Sequence, residues 1–146
     1  MDTDSGTGSL DELDESECRR LLATKDVGRL AVVADGQPLV VPVNYVLDGD
    51  DIVFRSDPGT KLAHSSLDKV AFEVDELDPA VREGWSVLVR GVGREITSAL
   101  DERSERQRAL PLRTWVTGER GHWVRIVASE ITGRRLRHSE APAPPS

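Results

Sequence analysis

The sequence contains one cysteine, Cys18, among 146 residues. A single thiol can neither close an internal disulfide nor supply the several thiolates of a structural zinc site, and its isolation is typical of proteins from a reducing compartment. We therefore predict a cytoplasmic protein in which Cys18 is a small buried side chain rather than a reactive thiol.

Long apolar runs are also missing. None approaches the roughly 18 residues of a membrane-spanning helix, and no signal-peptide pattern opens the chain. Positive charge is scarce, because 26 acidic residues outnumber 19 basic ones and the net charge is −7. This balance argues against an extended nucleic-acid surface but allows a local phosphate pocket. We expect neither a membrane nor a nucleic acid among the partners.

Signatures of several enzyme classes are absent as well. The histidines His64, His122 and His138 show no HxxxH spacing, and the chain has no GxSxG elbow and no P-loop. Metal sites, hydrolases and nucleotidases therefore lack support. A pocket role for His64 and a ligand role for His122 stay open beside plain surface and capping roles.

The length suits one domain with a substantial core. Residues 1–9 consist of Gly, Ser, Thr and Asp with one Met, and residues 141–146 are rich in proline. We predict a domain over residues 10–137, with a disordered N-terminal segment at 1–9 and a disordered tail at 138–146.

Alternating apolar residues predict a mainly β protein with inserted helices. A first helix over 15–24 has Asp14 as its N-cap. Asp35-Gly36 indicates a hairpin turn. Six strands with these inserted helices indicate a small, mostly antiparallel barrel. The strands are expected at 28–33, 38–47, 51–56, 69–75, 85–97 and 122–137, and further helices at 58–67 and on the surface at 100–110.

Two parts of this pattern suggest a binding site. The strand over 38–47 is apolar on both faces, as in a barrel or at a dimer seam. Within it Pro42 has no N–H to donate, so it should lie at a bulge or an unpaired edge, where a flat ligand can reach the backbone.

The second part is the set Arg55, Ser56, Thr60 and Lys61 around the predicted start of a helix at Pro58. A guanidinium fork, two hydroxyls, an ammonium group and helix N–H groups together suit a phosphate. Alternatively, Arg55 is a solvated residue at a strand end and Lys61 simply begins a surface helix. The residues alone leave both interpretations open.

The tryptophans differ in their surroundings. Trp85 and Trp123 lie in predicted strands and are expected in the core. Trp115 lies in a loop and either covers a flat ring system or anchors the loop by packing.

The strings PVNYVLDGDDIVFRSDPGTKLA, GWSVLVRGVGREIT and WVRIVASEITGRRL resemble the pyridoxamine 5'-phosphate oxidase-like flavoproteins, and among them the small actinobacterial members related to nitroimidazole-resistance proteins. The resemblance implies a six-stranded antiparallel split β-barrel that forms a homodimer with FMN in clefts at the interface. Some relatives use the deazaflavin F420 or haem instead.

The resemblance also implies roles for individual residues. The strand that runs along the flavin ring matches Pro42, Val43, Asn44 and Tyr45. The next strand and the following turn, which reach the ribityl and phosphate groups, match Phe54, Arg55, Ser56, Thr60 and Lys61. A later strand that approaches the ring matches Trp85, Ser86 and Val87, and the loop from the partner subunit matches Trp115.

The function expected from this resemblance is an FMN-binding oxidoreductase that acts on an unidentified small molecule, for example a nitroaromatic compound. The C-terminal string ITGRRLRHSEAP has no match to the residues that grip pyridoxal phosphate in the vitamin B6 oxidases, so true pyridoxamine phosphate oxidation is not expected. No catalytic residue is identified. The alternatives are a non-catalytic protein that binds or senses flavin, F420 or haem, and an interaction domain with a decayed pocket.

Overall fold

The computed structural model describes residues 7–56, 61–96, 101–112 and 122–139. These residues form seven strands, two α-helices and one 3-10 turn, η1. The elements are β1 (Thr7–Leu13), α1 (Glu15–Leu22), β2 (Val27–Ala34), β3 (Gln37–Asp48), β4 (Asp51–Ser56), η1 (Lys61–His64), β5 (Ser65–Asp78), β6 (Glu83–Glu95), α2 (Glu102–Arg108) and β7 (His122–Ser139).

The strands form one antiparallel sheet in the order β1-β7-β4-β3-β2-β5-β6, and β6 also pairs with β7. This second pairing closes the sheet into a ring, because β7 is long enough to pair with β4 through its first third and with β6 along most of its length. The predicted mainly β antiparallel barrel with inserted helices is confirmed, with seven strands rather than six.

The additional strand is β1, which pairs with the end of β7 from Thr7 opposite Ser139 to Leu13 opposite Gly133. The expected disorder of residues 1–9 is therefore wrong from Thr7 onward, and the domain also extends past residue 137. A Gly- and Ser-rich segment has little strand propensity of its own, so its order depends on the β7 ladder.

Helix α1 begins as expected at its N-cap, where an Asp14 carboxylate oxygen accepts a 2.8 Å hydrogen bond from the Glu17 N–H. Its buried face consists of Cys18, Leu21 and Leu22. Burial raises the pKa of the Cys18 thiol, and the negative charges of the nearby acidic residues raise it further. The interpretation of Cys18 as a core residue is confirmed.

The helix predicted over 58–67 is wrong in its described part. Only η1 is helical, and Ser65 already begins β5, where it lies opposite Ala34 of β2. Residues 57–60 lie outside the described part of the chain. A place in the β2 ladder outweighs the local helical tendency, and no α-helix N-terminus is available after Lys61.

Helix α2 is joined to the barrel by buried and partly buried hydrogen bonds. Gln107 is fully buried, and its side-chain nitrogen donates to Asp48 at 2.9 Å and to Asp51 at 2.7 Å. Asp51 also accepts from Arg103, and Arg106 donates to Asp48 at 2.8 Å. These acceptors lie on the β3–β4 hairpin, which is remote in sequence, so the helix predicted on the surface is anchored to the barrel by a partly buried polar network.

The inner faces of the strands form one core, closed on one side by α1. Gly28 lies within it, and an added Cβ there would come 2.1 Å from Phe72 Cζ. The largest fully buried apolar side chains are Phe54, Phe72, Leu30, Ile52 and Ile126.

Neither α-helix of the described residues has the length or apolar character to cross a bilayer.

Candidate functional site

Strand β3 has a partly open edge. It pairs with β2 over residues 37–44 but with β4 only over residues 45–48, so among the described strands nothing forms a ladder with residues 38–43 on the β4 side. Pro42 lies in this stretch with its ring exposed. The predicted placement of Pro42 beside an unpaired edge is confirmed, and no bulge is needed to explain it.

The side chains around Pro42 alternate between the core and the outer face of the sheet. Val43 and Tyr45 point inward and are 8% and 3% exposed. Asn44 is half-buried on the outer side, and its amide nitrogen lies 3.4 Å from the Asp26 carbonyl. A ligand on the outer face would therefore meet the ring of Pro42, the side chain of Asn44 and the backbone of Val43 and Tyr45.

The same alternation separates Arg55 from Ser56. Arg55 points outward, and its guanidinium carbon lies 5.4 Å from the centroid of the Trp123 ring, which is a cation–π contact. Phe54 and Ser56 point inward and are 0% and 8% exposed. Of these three residues, Arg55 alone presents its side chain to the outer face, on which Pro42 and Asn44 also lie.

The remaining predicted phosphate residues lie at the end of β4. The backbone of Lys61 begins η1. Thr60 lies outside the described residues. The set predicted as a phosphate clamp is therefore described only in its β4 part, and its two β4 members face opposite sides of the sheet.

The segment Trp85–Ser86–Val87 lies elsewhere on the barrel. Strands β2 and β5 separate β6 from β3, which at about 4.8 Å per strand places the two segments roughly 14 Å apart along the sheet. Trp85 is 6% exposed and Val87 is fully buried, as the core assignment of Trp85 predicted, so only Ser86 reaches the outer face. Trp115 lies outside the described residues.

Charged groups occupy the outer face between these two segments. Arg29 Nη1 lies 3.3 Å from a carboxylate oxygen of Glu73 and 3.3 Å from one of Asp75. Burial, then the hydrogen bond and charge of Asp75, raise the pKa of Glu73 to about 7. The Glu73 carboxyl therefore retains a proton close to neutral pH.

A carboxylate and an imidazole are in contact at one end of the barrel. Glu95 Oε1 and His122 Nδ1 are 2.5 Å apart, and His122 lies opposite Ser56 in the β4–β7 ladder. The sequence left a ligand role for His122 open and gave no reason to consider Glu95. The alternation along β4 and β7 implied which side chains point inward, but the pairing of β4 with β7 is not visible in the sequence.

Comparison with known proteins identifies the family. A sequence profile described as pyridoxamine 5'-phosphate oxidase matches residues 14–135, which is most of the chain. The chain belongs to the pyridoxamine 5'-phosphate oxidase family. The family predicted from the sequence strings is thereby confirmed.

Two solved structures and one further sequence relative are similar to this chain. The FAD-binding protein of Mycobacterium smegmatis is 35% identical over 86% of this chain and 97% of that chain, with a TM-score of 0.72. An FAD-binding protein of Mesorhizobium loti is 26% identical over 89% and 98% of the two chains, with a TM-score of 0.71. An uncharacterised protein of Mycobacterium tuberculosis is 35% identical and aligns over 86% of this chain and 84% of its own length.

The outer face of β3 and β4 has the chemistry that a flavin nucleotide requires. A flat ring needs an accessible apolar surface and backbone groups, which the exposed Pro42 on the open β3 edge supplies. A phosphate needs a cation, and Arg55 lies on the same face. Ser56 does not contribute its side chain to that face, although its backbone belongs to the same strand end.

Proposed function

We propose that the protein binds a flavin nucleotide, FMN or FAD, on the outer face of β3 and β4 and uses it as an oxidoreductase for a small molecule. The observation that carries this proposal is the β3 edge at Pro42, with which no described strand pairs on the β4 side, together with the outward Arg55 on the same face of the sheet. The two FAD-binding relatives support the flavin.

Each residue has a separate task in this proposal. The ring lies along Pro42, Asn44 and the backbone of Val43 and Tyr45. Arg55 pairs with a phosphate, and Lys61 and Thr60 complete that contact from the turn after β4.

The contact between Arg55 and Trp123 orients the guanidinium before the ligand arrives, which lowers the entropic cost of binding. A bound flavin would supply the redox chemistry, and the protein would position it and exclude water.

We further propose a homodimer in which the second copy covers this face, with Ser86 and the Trp115 segment contributed across the interface. Trp85 and Val87, which the resemblance placed near the ring, are buried in the core and take no part in this contact. Val33 and Val40 on the outer face are 47% and 62% exposed. A shallow cavity of about 630 Å³ beside Val33 is lined largely by apolar side chains. Contiguous exposed apolar surface of this kind is typical of an interface.

The first test is an absorbance spectrum of the purified protein followed by titration with FMN and with FAD. Tight binding of either flavin supports the proposal, and the ratio of the two affinities identifies the cofactor. A spectrum typical of deazaflavin or haem, or no binding of any flavin, would contradict it.

The second test uses a charge-matched pair of variants. Arg55→Ala should weaken flavin binding about tenfold or more, because a charge-assisted hydrogen bond contributes about 1.5–3 kcal/mol. Arg137→Ala removes the same charge at the far end of β7, where Arg137 pairs with the exposed Asp11, and should leave flavin affinity unchanged. Equal affinities of the two variants would refute the role of Arg55.

The third test concerns turnover. Reduction of the bound flavin by NADH, NADPH or reduced F420, followed by reoxidation with a nitroaromatic compound, would establish an oxidoreductase. A bound flavin that none of these donors reduces would leave a flavin-binding protein without this activity.

A further inference from the structure

Two carboxylic acid side chains lie side by side on the outer face of β5. Phe72 and Val74 point into the core, so the alternation of the strand turns Glu73 and Asp75 outward. Their side chains are 33% and 21% exposed, and both carboxylates lie 3.3 Å from the same nitrogen, Arg29 Nη1. One guanidinium group therefore serves two half-buried acids.

This arrangement favours a proton on one of the two acids. Like charges that are close together and partly removed from water oppose full ionisation, and a single cation compensates only one of them. Burial, then the hydrogen bond and charge of Asp75, raise the pKa of Glu73 to about 7, while Arg29 acts in the opposite direction. Glu73 thus holds a proton that it can release near neutral pH. The charged residues that line the same depression from β1, β6 and β7 are Glu12, Arg90 and Arg134.

Glu73 lies on the face proposed for the flavin. Pro42 is directly opposite Arg29 in the β2–β3 ladder, and Arg29 is directly opposite Glu73 in the β2–β5 ladder. Pro42 and Arg29 are exposed and Glu73 is half-buried, so the three form one row on the outer face. Two strand spacings, about 10 Å, separate Glu73 from Pro42. A substrate held on a ring that extends from Pro42 along this row would reach the Glu73 carboxyl.

The Glu73 carboxyl is also open to a ligand. It lines a depression of about 530 Å³ together with Ser86, Leu88 and Thr132. Ser86, which we propose to contribute across the homodimer interface, lies directly opposite Asp75. The acid pair is therefore adjacent to both parts of the proposed flavin site, the row from Pro42 and the outer face of β6.

We propose that Glu73 is the proton donor for substrate reduction, with Asp75 and Arg29 as positioning residues. This role rests on the proposed function, in which a reduced flavin supplies a hydride. With a nitroaromatic substrate, one hydride and one proton convert a nitro group into a nitroso group and water. One N–O bond breaks, and the departing oxygen leaves with both hydrogens. The two electrons pass from the reduced flavin to the nitro group, and the Glu73 carboxylate then takes a new proton from water.

The proton on Glu73 is measured first, without flavin. Carbon-13 NMR of the glutamate side-chain carboxyls follows their titration in the full-length protein, and the Glu73 signal is assigned by its absence in Glu73→Gln. Its midpoint should lie near pH 7 rather than at the ordinary 4.5. A midpoint at the ordinary value would overturn the proposal whether or not a flavin binds.

The second experiment loads the protein with flavin, reduces it anaerobically and follows reoxidation by stopped-flow absorbance with two oxidants. Para-dinitrobenzene needs a proton, whereas ferricyanide accepts electrons without one. The rate with dinitrobenzene should fall as the pH rises through about 7, because the donor is then deprotonated. The rate with ferricyanide should not depend on the Glu73 carboxyl.

Glu73→Gln removes the transferable proton and keeps a neutral side chain of the same shape. At acidic pH it should slow the dinitrobenzene reaction about tenfold or more, since a positioned general acid contributes roughly 10²–10⁴-fold. It should also abolish the decline above pH 7. Flavin affinity and the ferricyanide rate should equal those of the wild type. Glu76→Gln is the matched control, because Glu76 forms an exposed pair with Lys25, and it should leave both rates unchanged.

The outcomes separate this role from the proposed function. A protein that binds no flavin contradicts both. If ferricyanide reoxidises the bound flavin while dinitrobenzene does not, or reacts equally with wild type and Glu73→Gln, the flavin site stands and Glu73 is not the donor. A loss of flavin affinity or of the ferricyanide rate in Glu73→Gln would assign Glu73 to the structure of the site and overturn its role as donor.

Discussion

The hydroxyl of Tyr45 donates a 2.5 Å hydrogen bond to the backbone carbonyl of Leu22, which joins the middle of β3 to the last turn of α1. Both residues are buried, and burial raises the pKa of the Tyr45 hydroxyl. The Tyr45 ring also packs edge-to-face against Phe72, with centroids 4.9 Å apart. The strand proposed to run along the flavin is thus supported from inside the barrel by the side chain of Tyr45.

Tyr45→Phe should lower the free energy of unfolding by about 1–3 kcal/mol, because it leaves the buried Leu22 carbonyl without its hydroxyl partner. Tyr45→Leu also removes the edge-to-face contact and should cost roughly 1 kcal/mol more. Urea denaturation of both variants measures the two contributions. Equal stability of wild type and Tyr45→Phe would show that the hydrogen bond contributes nothing net.

Gln107→Leu should loosen α2 from the barrel. The substitution keeps a side chain of similar size but removes the hydrogen bonds from Gln107 to Asp48 and Asp51, and that from Arg125 to Gln107 at 3.2 Å. Buried polar groups that lose a partner cost about 1–3 kcal/mol each. Hydrogen exchange should accelerate in α2. Glu102→Gln, on the exposed side of the same helix, is the control and should leave the exchange rates unchanged.

Gly28→Ala should be strongly destabilising, by about 1–3 kcal/mol or more, because the new methyl group overlaps the buried ring of Phe72. Gly8→Ala is a matched control in another strand. The nearest atom to its added Cβ is the Arg137 carbonyl oxygen at 3.9 Å, an ordinary contact. Thermal unfolding compares the two variants, and similar melting temperatures would contradict the predicted packing of Phe72 against Gly28.

Glu73 should make stability depend on pH between about 4.5 and 7. Burial and Asp75 raise its pKa in the folded state to about 7 from 4.5. The folded state therefore holds more protons than the unfolded state in this window, and its contribution to stability is lost as the pH rises. Glu73→Gln should flatten the decline in unfolding free energy between pH 5 and pH 7.

Glu76→Gln is the control for this experiment. A hydrogen bond from Lys25 lowers the pKa of Glu76 below 4.5, so this carboxyl is mostly ionised in both states above pH 5, and the small slope it adds there has the opposite sign. Identical pH profiles of wild type and Glu73→Gln would show that Glu73 does not titrate in this window.

Much of the chain was predictable from local patterns. Alternation placed β4 at 51–56, the bounds it has, and the Asp35-Gly36 signal predicted a turn in which both residues have positive φ. Asp14 capped α1 as expected. The alternation also implied that the side chains of Arg55 and Ser56 face opposite sides of β4. The sequence therefore already argued against placing both side chains in one phosphate clamp.

Other features depend on pairing between remote segments. At the barrel end Ser56 lies opposite His122 because β4 pairs with β7. The loss of the helix predicted after Pro58 reflects the β2 ladder, and the firm attachment of α2 reflects Asp48 and Asp51 on a distant hairpin. None of these contacts is between sequence neighbours.

The amino-acid sequence by itself therefore determined the strand periodicity, the caps, the tight turns and, through its strings, the family. The tertiary structure alone decided that β1 is ordered, that α2 is anchored to the β3–β4 hairpin, and which polar side chains meet at the barrel end. The physical reason is range. Periodicity and capping act over a few residues, whereas ladder register and the burial of a polar network depend on which strands become neighbours when the barrel closes.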